Sequence, residues 1–293
     1  MQFHKYHGLG NDYIVIEPLG GDSSMTPEAI RGICDRHCGV GSDGILYGPL
    51  PAPPPSFPPR PPDAEPLPEH AVRIYNPDGS EAEKSGNGLR IFARHLYETR
   101  RVGADQPFCV RTLGGPARAV VENPRERIRV QMGRIRFNSA AVPVTGPARE
   151  VLDEPYEVAG ETFRSCAATV GNPHCILLVD NPTEELARRI GPRVETDDRF
   201  PHRTNVQFLK ALDRHTIRIE IWERGAGYTL ASGSSASACA AAAVRLGFCK
   251  SPVRVLMPGG ELEITLDDSL NAELVGPVAA ICTGTISDDL GVQ

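Results

Sequence analysis

The sequence predicts an α+β protein of two pseudo-symmetric halves, each a mixed or antiparallel sheet wrapped around a central helix, with a ligand cleft between them. Three observations carry that expectation. A Gly-Asn turn followed by an aliphatic run occurs twice, at Gly10-Asn11 before Ile14-Val15-Ile16 and at Gly171-Asn172 before Ile176-Leu177-Leu178-Val179. A Ser-Gly helix start lies downstream of each, at Ser85 and at Ser232. Asn11 and Asn172 are 161 residues apart, and Ser85 and Ser232 are 147 apart, similar offsets that fit two copies of one unit. The length of 293 residues allows two domains, each able to bury its own core.

The N-terminus, MQFHKYHGLGNDY, has no apolar signal-peptide region, and no run of 18 apolar residues occurs anywhere, so a cytoplasmic protein is expected. Net charge is −6, which argues against a nucleic acid or an anionic membrane as partner, since both require a basic face. Cys34-x3-Cys38 with His37 lacks a second ligand pair at metal spacing, so no metal site is expected. The eight cysteines read as reduced thiols of a cytosolic chain.

Leu50–Pro68, LPAPPPSFPPRPPDAEPLP, cannot continue a helix or donate to a sheet ladder and reads as an extended surface loop inserted between strands. After Ser85, apolar residues fall at Leu89, Phe92, Ala93, Leu96 and Tyr97, the stripe of an amphipathic helix. The second helix, Ala236–Leu246, is alanine nearly all round, which suits a helix buried on every side. Segments such as IRVQM, TIRIEIW, VRVLM and LEITL alternate or are β-branched and read as strands.

A helix start presents unpaired N–H groups and partial positive charge, so each Ser-Gly mouth is able to receive a carboxylate or phosphate. Each mouth alone could equally be a cap serving its own helix. Two mouths at equivalent places favour a shared site. Around them lie the turns Asn76-Pro77-Asp78-Gly79-Ser80 and Gly171-Asn172-Pro173-His174, the segment Arg203-Thr204-Asn205, and Glu223-Arg224-Gly225-Ala226-Gly227 leading into the second mouth. Arginine, glutamate and amide side chains together suit an amino-acid head group: the guanidinium takes the carboxylate, and the oxygens take the ammonium.

HGLGND, GVGSDG, YNPDGSEAEKSGNG, GNPH, RTNVQF and ERGAGYTLASGS occur in the order found in diaminopimelate epimerases, and the chain resembles that family nearly end to end. The resemblance implies a cofactor-independent isomerase, without pyridoxal phosphate, that interconverts LL- and meso-diaminopimelate in lysine and peptidoglycan-precursor synthesis. It implies an N-terminal domain over 1–125, a C-terminal domain over 126–274, and residues 275–293 returning to the first. A small amino acid is the implied partner, and a homodimer is suggested. Asn11, Asn76, Asn172, Asn205, Glu223 and Arg224 would hold the substrate, and the backbone N–H groups of Gly86, Asn87, Gly233 and Ser234 would hold the carboxylate at the reacting carbon.

The family works with two cysteines, one on each face of the substrate; the matching positions here are Ser85 and Ser232. A serine hydroxyl is a far weaker acid than a thiol and needs an adjacent base to act as one. His174 is the candidate base for Ser232, with Glu223 as its orienting partner. No equivalent helper is evident for Ser85, although Asp78, Glu81 and Glu83 are near in sequence. Tyr228 stands where the family has glutamate and Ser234-Ser235 where it has Thr-Gly, so the departures are correlated, as in a variant lineage. Two other readings stay open. One is a paralogue with different chemistry, such as another racemase or a one-base lyase or isomerase. The other is a non-catalytic amino-acid-binding protein.

Overall fold

The computed structural model describes residues 1–18, 24–62 and 65–290. The chain divides into two compact units, Met1–Val130 with Gly276–Gln293, and Gln131–Val275. In the first, strand Gln2–Gly8 runs antiparallel to Asn11–Ile16 and, on its other edge, to Ala279–Thr285. Asn11–Ile16 is parallel to Ile45–Leu50, which forms an antiparallel pair with Glu69–Tyr75. Glu69–Tyr75 is in turn parallel to Phe108–Thr112, and Gly115–Asn123 returns antiparallel. The second unit repeats this sequence of pairings. Glu161–Thr169 is antiparallel to Pro173–Leu178, which is parallel to Asn205–Asp213; Thr216–Glu223 returns antiparallel, lies parallel to Val253–Met257, and Gly260–Leu266 closes the last hairpin.

Two helices fall at the same places in each repeat. Helix α1 (Pro27–Cys34) and helix α3 (Glu184–Glu195) make the first parallel crossover of their units; α2 (Gly86–Glu98) and α4 (Gly233–Arg245) make the second. The strands explain the layering. Along Asn11–Ile16 the side chains alternate, and Ile14 and Ile16 join Ile30 and Ile33 of α1 in one buried cluster. Asn11, Tyr13 and Val15 lie on the opposite face, where α2 packs against this strand. In the second unit Cys175 and Leu177 pack with Ile190 and Val194 of α3, and α4 packs against the same strand. Sheets covered on both faces need apolar residues on both, which is why these strands read as continuous aliphatic runs.

Helix α4 is buried from Ser235 to Ala243, as its alanine content implies. Helix α2 departs from the amphipathic expectation: every residue from Gly86 to Leu96 is buried, including Arg90, Arg94 and His95. Each of these polar side chains has at least one hydrogen-bond partner, although Arg90 Nε has none among the described residues. Arg90 Nη2 donates to Asn87 Oδ1 at 2.9 Å, Arg94 Nε to Glu98 Oε1 at 2.8 Å, and His95 Nε2 lies 2.9 Å from Glu17 Oε1.

The Pro-rich segment is mostly exposed, yet Pro54 and Phe57 are buried, and Phe57 enters the α1 cluster. The Arg73 guanidinium sits 5.7 Å above its ring. Asp63 and Ala64 of this segment lie outside the described residues, as do residues 291–293 of the returning C-terminal segment. Among the described residues no helix is long and apolar enough to cross a membrane. All eight cysteines are free, and only Cys38 and Cys282 are exposed.

Candidate functional site

In the first unit the site begins with Ser85 as N-cap of α2. Its backbone is extended, at φ −135° and ψ 121°, and its Oγ accepts from Gly88 N at 3.0 Å. A Cβ at Gly88 would lie only 3.2 Å from Ser85 Cβ and 3.3 Å from its Oγ, so glycine there leaves the cap room. Gly86 and Asn87 form the first turn of α2, where helix geometry turns the backbone N–H groups toward the mouth.

Side chains behind the mouth are tied in series. Asn87 Nδ2 donates to Asn11 Oδ1 at 3.0 Å, and Asn11 Nδ2 donates to Asp43 Oδ2 at 3.0 Å. Arg36 Nη2 bridges Asp43, at 2.7 Å, and Asp12, at 2.8 Å, so the HGLGND turn and the GVGSDG loop are held together. Burial raises the Asp12 pKa, but the hydrogen bonds from Arg36 and Lys5 outweigh it and hold this carboxyl below its usual range. Arg90, fully buried, fixes Asn87 from below; its desolvation pushes the guanidinium down to about 9. Asn76 is half-buried and its amide donates to Ser80 Oγ at 2.9 Å within its own turn.

Ser85 also has a partner that the sequence reading did not single out. Tyr13 Oη donates to Ser85 Oγ at 3.3 Å. Tyr13 follows Asn11 by two residues, the offset at which His174 follows Asn172, and that shared offset was the signal available in the sequence. Lys84, next to the cap, is pushed down to about 8 by desolvation.

In the second unit Ser232 caps α4 with φ −146° and ψ 124°, and its Oγ accepts from Ser235 N at 3.4 Å. Ser234 Oγ lies 3.4 Å from Ser232 Oγ and accepts from Asn172 Nδ2 at 3.4 Å. Asn172 thus meets the residue two beyond its cap serine, as Asn11 meets Asn87 in the first unit.

The expected pairing of His174 with Ser232 and Glu223 takes a different form. His174 is fully buried and its Nε2 donates to Asn172 Oδ1 at 3.0 Å, while Nδ1 is buried without a partner. Ser232 meets Ser234 and the Ser235 amide instead. Burial pushes the imidazole down to about 3, so it is neutral at physiological pH. The reason for the difference is local: Asn172, two residues before His174, takes the ring Nε2 on its Oδ1 while its Nδ2 goes to Ser234 Oγ. His174 therefore orients Asn172 and does not receive a proton from Ser232 in this arrangement.

Asn205 uses its whole amide on backbone, Nδ2 to Pro173 O at 2.8 Å and Oδ1 from Arg224 N at 3.0 Å. It clasps the GNPH turn to the Glu223–Gly227 turn. Glu195, at the end of α3, supports the same turn: it accepts from Gly225 N at 2.8 Å and from Trp222 Nε1 at 2.7 Å, and pairs with Arg203. Arg224 is exposed, its Nη1 donating to His202 O at 3.0 Å, and Glu223 is half-buried beside it. Tyr228 is a packing residue: its hydroxyl donates to Glu220 Oε2 at 2.7 Å and Arg188 lies 4.7 Å above its ring. Cys239 replaces neither serine, because it is wholly buried in α4 and burial raises its thiol pKa well above the ordinary value. Among the described residues no cluster of three or more His, Cys, Asp or Glu could hold a metal.

Each unit thus presents a serine-capped helix start with glycine at the first turn and an asparagine tethered beside it. That arrangement can receive an anion and place a hydroxyl next to it. A family described as diaminopimelate epimerase matches residues 3–138 and 166–280. "Diaminopimelate epimerase 2" of Nostoc sp. is 48% identical over 290 residues, spanning 99% of this chain and 97% of its own. "Diaminopimelate epimerase" of Pelotomaculum thermopropionicum is 38% identical over 291 residues, spanning 97% and 98%. Among solved structures, a hydroxyproline epimerase from Agrobacterium vitis with bound trans-4-hydroxy-L-proline aligns with a TM-score of 0.67 at 14% identity, over 97% of this chain and 90% of that one, a likeness of fold.

Proposed function

The chain belongs to the diaminopimelate epimerase family, and from that premise we propose that it interconverts LL- and meso-diaminopimelate without pyridoxal phosphate. Proton removal and proton delivery at the α-carbon fall to the two serine-capped mouths. The observation that carries this reading is the duplication of the mouth: Ser85 with the Gly86 and Asn87 amides, and Ser232 with those of Gly233 and Ser234, each beside a tethered asparagine. Fixed amide dipoles at a helix start stabilise the charge that develops on the substrate carboxylate as the α-proton leaves. Asn11, Asn76, Asn172, Asn205, Glu223 and Arg224 belong to the substrate-holding set in this reading. Asn205 does so indirectly, through the turns it clasps.

Serine acidity sets the expected rate. Among the described residues, the hydrogen-bond partners of the two serine oxygens are hydroxyls and backbone amides. Turnover is therefore expected to be slow beside a thiol enzyme. The same observation favours a second reading, an amino-acid-binding protein that no longer turns its ligand over. The test is chiral chromatography of LL-diaminopimelate incubated with the protein, with Ser85→Ala and Ser232→Ala beside it. Meso product is expected, with each alanine variant slower by on the order of 10²-fold or more. Ligand binding without meso product would replace the epimerase reading by the second.

A further inference from the structure

Serine at the first mouth raises the question of what takes up the charge when its proton moves. Ser85 Oγ accepts from two donors, the Gly88 N–H at 3.0 Å and the Tyr13 O–H at 3.3 Å. With both acceptor positions filled, the hydroxyl proton of Ser85 is left to point away from them. Tyr13 reaches the cap because it lies on the face of strand Asn11–Ile16 that α2 covers, two residues beyond Asn11. Gly44 makes room for its ring: a Cβ there would lie 2.7 Å from Tyr13 Cε1 and 2.4 Å from Tyr75 O, so no side chain fits. The corresponding offset in the second unit holds His174, which turns to Asn172 and leaves Ser232 to Ser234. The two mouths are therefore chemically unequal.

We propose that Tyr13 is the positioning residue of the first mouth, whose phenol O–H fixes the Ser85 hydroxyl and shares the charge left on Oγ when that hydroxyl gives up its proton. The proposal rests on the epimerase reading and deepens it. When this mouth delivers a proton, the Ser85 O–H bond breaks, a C–H bond forms at the α-carbon, and the electron pair stays on Oγ between the phenol O–H and the Gly88 N–H. Hydrogen bonds to a charged oxygen are stronger than those to a neutral one, so Tyr13 contributes more to the transition state than to the resting site.

The test uses the full chain and two readouts. Tyr13→Phe keeps the ring and removes the donor; it is expected to lower kcat for LL-diaminopimelate by about 10- to 100-fold with KM changed by less than about twofold. A parallel loss in kcat, KM and melting temperature would mean a merely structural role and overturn the proposal. The second readout does not need turnover. Ser85→Cys places a titratable thiol at the cap, and its alkylation rate is followed against pH by mass spectrometry, with and without Tyr13→Phe. Removing the phenol is expected to raise the introduced thiol's apparent pKa by about one unit, because a donor to the charged form is lost. An unchanged pKa would overturn the proposal even in an active enzyme. A raised pKa in a protein that makes no meso product would leave the hydrogen bond standing and remove only the epimerase reading.

Discussion

His174 illustrates how a single side chain is fixed by burial. The imidazole is fully enclosed, donates to Asn172 and is held neutral by desolvation, with a pKa of about 3. Its unfolded-state value is about 6.5. As pH falls below about 6.5 the unfolded chain takes up a proton that the folded chain refuses, so stability declines until the folded pKa is reached. The slope from this one residue is about 1.4 kcal/mol per pH unit over that window. His174→Gln keeps a donor for Asn172 and removes the titration. Urea unfolding at neutral pH and near pH 5 is expected to show a shallower acid dependence for the variant; identical pH slopes would contradict a buried neutral imidazole. The turns and cap serines are legible in the sequence because capping and turn chemistry are local. The Tyr13–Ser85 contact, spanning 72 residues, is not, and neither is the support that Glu195 gives to the Glu223–Gly227 turn. Adjacency in space between distant segments leaves no mark in one sequence beyond a repeated offset such as Asn11/Tyr13 and Asn172/His174.

At the scale of elements, alanine content and aliphatic runs told correctly where the core lies, and helix amphipathicity told less. Alanine throughout α4 signals close approach on all sides, and Ala240 is wholly buried. Ala240→Leu is expected to destabilise the protein by about 1–3 kcal/mol through overpacking, read as a lowered melting temperature. An unchanged melting temperature would show slack around α4. Arg90, Arg94 and His95 fall outside the apolar stripe of α2 and are buried all the same. Periodicity cannot register this, because what permits it is pairing with Asn87, Glu98 and Glu17, the last distant in sequence. The Pro-rich segment shows a similar limit. Beyond Leu50, which ends strand Ile45–Leu50, its described residues form no strand, while Phe57 within it supplies core volume.

At the scale of the molecule, the repeat guessed from two Gly-Asn turns and two Ser-Gly mouths is a repeat of topology. Hairpins joined by parallel crossovers follow in the same order in both units, with helices at the same places. What the repeat does not copy is the chemistry beside each serine, Tyr13 in one unit and Ser234 in the other. The measurement that bears most directly on function is α-proton exchange. Purified protein would be incubated with LL-diaminopimelate in D2O, with loss of the α-proton signal followed by NMR alongside chiral analysis. Exchange accompanied by inversion to meso-diaminopimelate is the expected result, and it would establish that a serine-capped pair of helix starts performs proton transfer on both faces. Saturable binding without exchange would contradict the central claim and leave a protein that holds an amino acid without turning it over.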